Sequence, residues 1–186
     1  MFQYRNKSGT RRSIYETARL LAPAARRSHA LFILNDHADI AAAAGADGVH
    51  LGQDDLPIEA ARRLLGRDRI IGISTHDLVQ ARAAEEAGAD YIGFGPVFDT
   101  ATKIAGAAQG AGNLSLIRQA VSIPVFAIGG INHANLAAVM QAGADGAAVI
   151  SAILSAPDIG KAAEEMVRII GETEAHMLKK RSFPKF

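Results

Sequence analysis

The sequence predicts an α/β fold of the TIM (βα)8 barrel type, lacking the first of its eight βα units. Short, almost wholly apolar runs alternate with helical segments along the 186 residues, and such runs are typical of parallel strands buried on both faces. Polar residues follow these runs, at the strand ends where a barrel carries its active site. One phrase, Ala-Gly-Ala-Asp, recurs three times where a helical segment meets an apolar run.

The apolar runs define the strands, and the segments between them define the helices. We expect strands at Phe2–Arg5, Ala30–Leu34, Ile70–Ile73 and Pro124–Ile128, and one more after each copy of the recurring phrase. Helices are expected at about 10–27, 38–44, 57–65, 76–87, 113–121, 132–142 and 158–175. Strict alternation favours a parallel sheet. With seven strands counted, we expect the missing βα unit to precede Gln3.

The recurring phrase lies within Ala44–Gly52, Ala87–Gly95 and Ala142–Ile150. Each glycine can adopt the left-handed conformation that ends a helix, and each Ala-Asp pair then leads into a strand. The phrase therefore predicts a helix-to-strand joint.

A doubly wound sheet is the alternative to a barrel. The first strand is not followed by a Gly-x-Gly-x-x-Gly motif, which counts against a dinucleotide-binding sheet of that kind. We therefore expect one barrel domain over residues 1–186, with residues 177–186 as a basic C-terminal tail.

The composition argues against several classes of function. The formal net charge is +1 and cysteine is absent, so neither a broad basic field nor a thiolate site is available. No apolar stretch approaches the ~20 residues that span a bilayer, and the N-terminus lacks the apolar core of a signal peptide. We expect a soluble cytoplasmic protein that binds neither nucleic acid nor membranes.

Two carboxylates follow neighbouring strands. Asp36 comes after Ala30–Leu34, and Asp55 comes after the next apolar run. Oxygen ligands from two loops suit Mg²⁺, which commonly takes one or two carboxylates together with substrate phosphates and water. The alternatives are that Asp36 caps the helix after it, and that Asp54 and Asp55 are turn residues or residues of a first helical turn.

Basic and glycine residues at the strand ends predict two anion sites. Arg5, Lys7 and Lys103 together would suit a diphosphate, although each alone could be a surface charge. Gly129-Gly130 and Ser151 follow the last two strands, where barrels often bind phosphate, although the glycines could simply form a tight turn.

The histidines show no metal-ligand spacing, and no catalytic triad pattern is present. We interpret His50 and His76 as residues that support the site or cap helices. The residues by themselves thus predict a metal-dependent barrel enzyme that binds a diphosphate and a second phosphate.

Seven segments together resemble the thiamin phosphate synthase family, and in the family's order. The resemblance runs to about residue 170, and its most specific parts are QYRxK, ND, HLGQxD and TxTK. The segments are QYRNK (Gln3–Lys7), Asn35-Asp36, GADGVHLGQDD (Gly45–Asp55), GIST (Gly72–Thr75), GPVFDTATK (Gly95–Lys103), AIGGI (Ala127–Ile131) and GADGAAVISAI (Gly143–Ile153).

The resemblance implies an enzyme that joins hydroxymethylpyrimidine diphosphate to thiazole phosphate, giving thiamin phosphate and pyrophosphate. It implies that Asp36 and Asp55 hold Mg²⁺, and that Lys103, Ser74 and Arg5 act in catalysis. The pyrimidine and its diphosphate would be bound by Gln3, Arg5, Lys7, Asn35, Ser74 and Lys103. The thiazole and its phosphate would be bound by Thr100, Thr102, Gly130, Ile150 and Ser151.

Two alternatives stay open on the sequence. The thiazole tautomerase family shares the barrel and the joints. At the position of Pro96, however, that family has a histidine that transfers a proton. A barrel that lacks its first unit could also bind phosphate ligands without turnover.

Residues 104–112 are richer in Gly and Ala than the family's loop. Because a barrel with open strand edges is prone to association, we also expect a homo-oligomer.

Overall fold

The fold is seen in a computed structural model, which describes residues 1–99 and 108–181. The strands of these residues are Phe2–Tyr4 (β1), Phe32–Asn35 (β2), Gly48–Leu51 (β3), Ile70–Thr75 (β4), Tyr91–Phe94 (β5), Val125–Ile128 (β6) and Gly146–Ala148 (β7). The helices are Arg11–Arg27 (α1), Ala38–Ala44 (α2), Ile58–Leu65 (α3), Leu78–Glu86 (α4), Gly110–Ala120 (α5), Leu136–Gln141 (α6), Ser151–Leu154 (α7) and Ile159–Arg181 (α8).

The strand order follows the chain from β1 to β7, which confirms the predicted alternation of strands and helices. Each predicted element has a counterpart within a few residues, and α7 is an addition that the sequence did not suggest. Helix α6 begins four residues later than expected. The preceding residues form a turn instead, in which the Asn132 side chain accepts the Ala134 N–H (2.9 Å) and the Asn135 side chain accepts the Asn132 N–H (2.8 Å).

The chain divides into two compact units. Unit 1 comprises Met1–Thr75 and Arg82–Ile92, and unit 2 comprises His76–Ala81 and the chain from Gly93 onward.

In unit 1, strands β1 to β4 pair in parallel and in chain order. The core of this unit contains buried apolar side chains, among them those of Phe32, Leu34 and Val49. Helix α1 buries Ile14 and Ala18, which are four residues apart and so lie on one face of the helix. The predicted pattern of buried parallel strands is confirmed in this unit.

In unit 2, strands β6 and β7 pair in parallel, and the core includes Leu114, Val125, Leu136 and Met166. Helix α8 extends to Arg181, so the first residues of the predicted basic tail are helical. No helix in the described part of the chain combines the length and apolar character that crossing a membrane requires.

The three recurring joints end their helices as predicted. Gly45, Gly88 and Gly143 all have positive φ, at 70°, 88° and 95°. Glycine adopts this left-handed conformation without the steric cost that a Cβ imposes.

The aspartate of each joint ties the new strand to the one before it. Its N–H donates to the carbonyl of a residue at the start of that earlier strand, and its carboxylate accepts the same residue's N–H. The pairs are Asp47 with Phe32, Asp90 with Ile71 and Asp145 with Val125, with N–O distances to the carboxylates of 2.7, 2.7 and 2.8 Å. The repeated phrase is therefore a repeated pair of hydrogen bonds.

Candidate active site

Three polar side chains of unit 1 meet at the end of β2. The Lys7 ammonium donates to the carboxylate of Asp36, and the Asn35 side-chain amide donates to its other oxygen. The backbone N–H of Asp36 donates to the carbonyl of His50 (2.8 Å). Asp36 has a φ of 67°, which is uncommon for a residue with a side chain. Backbone strain of this kind is often found at functional sites.

The alternative role of Asp36 as a helix cap is not observed. The N-cap of α2 is His37, which makes no side-chain capping bond. The Asp36 carboxylate is instead directed to Lys7, which lies 29 residues earlier in the chain.

The second predicted metal ligand, Asp55, lies between β3 and α3. Its carboxylate accepts the Gly52 N–H (2.6 Å), so its alternative role as a turn residue is observed. Helix α3 begins only at Ile58, so Asp54 and Asp55 are not in a first helical turn.

The carboxyl of Asp55 is held in an unfavourable electrostatic environment. Burial raises its pKa above the ordinary value, the charge of Asp36 raises it further, and the Gly52 hydrogen bond and the Lys7 charge oppose these effects. Two carboxylates close enough to affect each other's charge form a site that a cation would stabilise.

The donor set of this cluster fits Mg²⁺. It offers two carboxylates, and residues 1–99 and 108–181 contain no group of three or more His, Cys, Asp and Glu arranged for a metal ion. An ion held by two carboxylates must complete its coordination with other oxygens, as Mg²⁺ does with substrate phosphates and water.

Gln3 and Arg5 lie beside this cluster in the sequence, in β1 and directly after it, and both are exposed. Asn6 shapes the following turn, since its side-chain oxygen accepts the N–H groups of Ser8 (3.2 Å) and Gly9 (2.9 Å). The segment that resembles the family's QYRxK motif is thus an exposed strand end followed by a tight turn.

Ser74, near the end of β4, lies in a buried network. Its hydroxyl is 2.9 Å from Nε2 of His50, and Nδ1 of the same ring is 2.9 Å from the hydroxyl of Tyr91. The Gln53 side-chain amide donates to the Ser74 carbonyl (2.6 Å). Two residues of the HLGQ segment therefore hold Ser74 by its side chain and by its backbone.

Tyr91 was not among the predicted site residues. One signal was available: among the three joint segments, only Ala87–Gly95 has a tyrosine directly after the aspartate. A second signal was Gly72, because a Cβ at this position would overlap the Tyr91 ring.

In unit 2, Gly129 and Gly130 follow β6 with φ values of 88° and 67°. A Cβ on Gly130 would lie 2.5 Å from the Asp99 carbonyl oxygen, and the Asn135 side-chain amide donates to the Gly130 carbonyl (3.0 Å). The tight-turn role of the two glycines is therefore observed.

The remaining predicted residues of unit 2 are placed only in part. Ile150 is the N-cap residue of α7 and is exposed, and Ser151 is the first residue of that helix. Thr100, Thr102 and Lys103 lie outside the described residues. His76, which we interpreted as supporting or capping, places Nδ1 2.5 Å from the Gly95 carbonyl oxygen.

Residues 1–153 match a family model described as thiamine monophosphate synthase. The chain belongs to this family. A thiamine-phosphate synthase of Chloroflexus aurantiacus is 48% identical over 177 residues, which cover 95% of this chain and 82% of that protein. One of Methanospirillum hungatei is 48% identical over 171 residues, covering 91% and 83%.

Solved structures agree with this assignment. The thiamine phosphate pyrophosphorylase of Pyrococcus furiosus superposes with a TM-score of 0.85 at 43% identity, covering 92% of this chain and 82% of that one. A 3-hexulose-6-phosphate synthase superposes with a TM-score of 0.65 at 20% identity, which shows a shared fold alone. The predicted fold class and family are confirmed. The tautomerase alternative is not favoured, because these close relatives are synthases and Pro96 has no proton to transfer.

Proposed function

We propose that this chain is a thiamin phosphate synthase that joins hydroxymethylpyrimidine diphosphate to thiazole phosphate. The observation that carries the proposal is the cluster of Lys7, Asn35, Asp36 and Asp55 in a member of this family. The cluster combines cationic and anionic groups, which suits a metal-bound diphosphate better than a neutral ligand.

The reaction breaks the bond between the pyrimidine methylene carbon and the diphosphate oxygen, and the bonding electrons leave with pyrophosphate. The lone pair of the thiazole nitrogen then forms the new carbon–nitrogen bond. A general base is unnecessary because that nitrogen already carries a free lone pair. The chain therefore has to stabilise the departing negative charge and align two ligands.

The cation site of this proposal consists of Asp36 and Asp55. When bound, Mg²⁺ would supply positive charge beside the diphosphate oxygens. Lys7 and Arg5 would add fixed positive charge from the β1 end, and Arg5 would suit bidentate contact with phosphate. Gln3 and Asn35 offer amide groups for the pyrimidine, and the Ser74 hydroxyl offers a hydrogen bond to the leaving group.

The second substrate would be bound by residues of unit 2. Gly130 would let the thiazole phosphate approach the backbone closely, and Ile150 and Ser151 would contact it from the start of α7. Thr100 and Thr102 complete this set, and Lys103 would balance the charge of the leaving pyrophosphate. A cytoplasmic location and a homo-oligomer remain predictions of the sequence.

Pyrophosphate release, followed with a coupled assay, tests the proposal. We expect release only when both substrates and Mg²⁺ are present, and we expect thiamin phosphate to form in equal amount. Folded protein that releases no pyrophosphate under these conditions would contradict the synthase assignment. Full turnover after removal of divalent cations with a chelator would contradict the metal site alone.

A further inference from the structure

In the hydrogen-bond network around Ser74, the donor and the acceptor of each bond can be assigned, which the family assignment does not supply. His50, Ser74 and Tyr91 are all buried, with exposed fractions of 7%, 6% and 6%. Both ring nitrogens of His50 are within hydrogen-bond distance of a hydroxyl, Nδ1 of Tyr91 and Nε2 of Ser74. A neutral imidazole donates from one nitrogen and accepts at the other. The nitrogen that carries the proton therefore determines which hydroxyl donates to the ring and which accepts from it.

The chemistry of the two hydroxyls favours one arrangement. Burial raises the pKa of Tyr91, so the phenol keeps its proton and can donate it. A phenol is more acidic than the hydroxyl of serine, so it is the better donor, and serine is the better acceptor. In a ring between the two, Nδ1 then accepts from Tyr91 and Nε2–H donates to Ser74, because the bond made by one nitrogen fixes the proton on the other.

This arrangement leaves the proton of Ser74 unused within the network. We propose that Tyr91 and His50 are positioning residues that hold Ser74 as a hydrogen-bond acceptor on one side, so that its own O–H donates a hydrogen bond to the leaving diphosphate. The proposal rests on the proposed synthase function. With the opposite tautomer, Ser74 would donate to His50, and its proton would not be available to another acceptor.

The surrounding structure keeps the network rigid. Gly72 leaves space for the Tyr91 ring beside β4, because a Cβ there would overlap it. Gln53 fixes the Ser74 carbonyl at 2.6 Å. A hydroxyl whose backbone and lone pair are both held can donate with little reorganisation, which is what makes a donor effective in catalysis.

The protonation of His50 can be measured without any turnover. The chain has six histidines, so ¹⁵N-histidine NMR of the wild-type protein gives few signals, and His50→Gln identifies the one that belongs to His50. We expect a neutral ring protonated at Nε2. A ring protonated at Nδ1, or at both nitrogens, would overturn the proposal whether or not the protein is a synthase.

The effect on catalysis is measured with a double-mutant cycle. Asn matches the Nδ1 side of histidine and Gln matches the Nε2 side, so His50→Asn loses the contact to Ser74 whereas His50→Gln can keep it. We expect His50→Asn to lower kcat about 10- to 100-fold, with KM for the pyrimidine diphosphate nearly unchanged. His50→Gln should restore part of the lost rate.

The decisive comparison uses Ser74→Ala. In that background His50→Asn should cause no further loss of kcat, because the group through which it acts is gone. Equal losses in the two backgrounds would show that His50 acts independently of the Ser74 hydroxyl, and would overturn the proposal. Tyr91→Phe keeps the ring over Gly72 and should lower kcat in wild type but not in Ser74→Ala.

Matched controls separate positioning from a general loss of packing. His176→Asn changes an exposed histidine, and Tyr15→Phe removes an exposed tyrosine hydroxyl. Thr75→Val removes a buried hydroxyl next to Ser74 that has no hydrogen-bond partner among the described residues. All three should keep wild-type kcat. If the wild-type enzyme shows no synthase activity, the proposed function fails, and the NMR result still decides the state of the network.

Discussion

The joints and the candidate active site use aspartate at the two ends of the strands, and in opposite ways. At the joints, Asp90 accepts the Ile71 N–H at 2.7 Å and pairs with Arg62 at 2.6 Å. At the site, burial and the charge of Asp36 raise the pKa of the Asp55 carboxyl, and the charge of Lys7 opposes this only in part. A joint aspartate is satisfied by the protein itself. Asp55 retains an unfavourable charge that a cation would relieve.

The largest effect that this comparison predicts is on activity. Asp36→Ala should lower kcat by about 10² or more, because a preorganised charge contact to the reacting groups is lost. Asp39→Ala is the matched control, since Asp39 lies three residues away and pairs with Arg11 on the surface. Steady-state pyrophosphate release should be unchanged in Asp39→Ala. Similar losses in the two variants would mean that Asp36 is no more than another surface ion pair.

Substitutions of the joint aspartates should lower the stability of the protein and leave kcat unchanged. Asp90→Ala leaves the buried Ile71 N–H without its partner, so the free energy of unfolding in urea should fall by about 1–2 kcal/mol. Asp90→Asn keeps an oxygen acceptor and should lose less. The kcat of the folded protein should be unchanged in both variants. A loss of kcat at constant stability would show that Asp90 acts in catalysis, and would contradict this prediction.

A smaller stability effect tests the backbone of a joint. Gly88 has a φ of 88° and open space where a Cβ would lie, so Gly88→Ala should cost about 1 kcal/mol through conformation alone. Gly112 lies in α5, also with open space for a Cβ. Gly112→Ala should therefore stabilise the protein by up to about 1 kcal/mol. Thermal or urea unfolding of the pair should give shifts of opposite sign.

The smallest effect is a stability gain at the site. A carboxyl whose pKa is raised on folding destabilises the folded state at pH values above that pKa, and the cost disappears as the pH falls below its ordinary value of 3.8. Without Mg²⁺, Asp55→Asn should therefore raise the unfolding temperature slightly at pH 7. The gain should vanish near pH 3. A variant that is less stable at pH 7 would show that the Gly52 hydrogen bond outweighs the charge effect.

Much of the fold could be predicted because its signals act over a few residues. The three joints were identified from a repeated phrase, and their glycines have the left-handed conformation that the phrase predicted. The candidate site was predicted less completely. From the sequence, Asp36 could be either a metal ligand or a helix cap. His50 was expected to support the site or cap a helix, but its contact with Tyr91 was not predicted.

What the sequence by itself determined was the order of strands and helices, the conformation of the joints and the family. Apolar periodicity and the φ preference of glycine are local properties, so they can be identified directly in the chain. What only the tertiary structure decided was the environment of each site side chain. The Asp36 carboxylate pairs with Lys7 across 29 residues, and His50 bonds Tyr91 across 41. Electrostatic and hydrogen-bond energies depend on distances in space, and folding alone sets those distances.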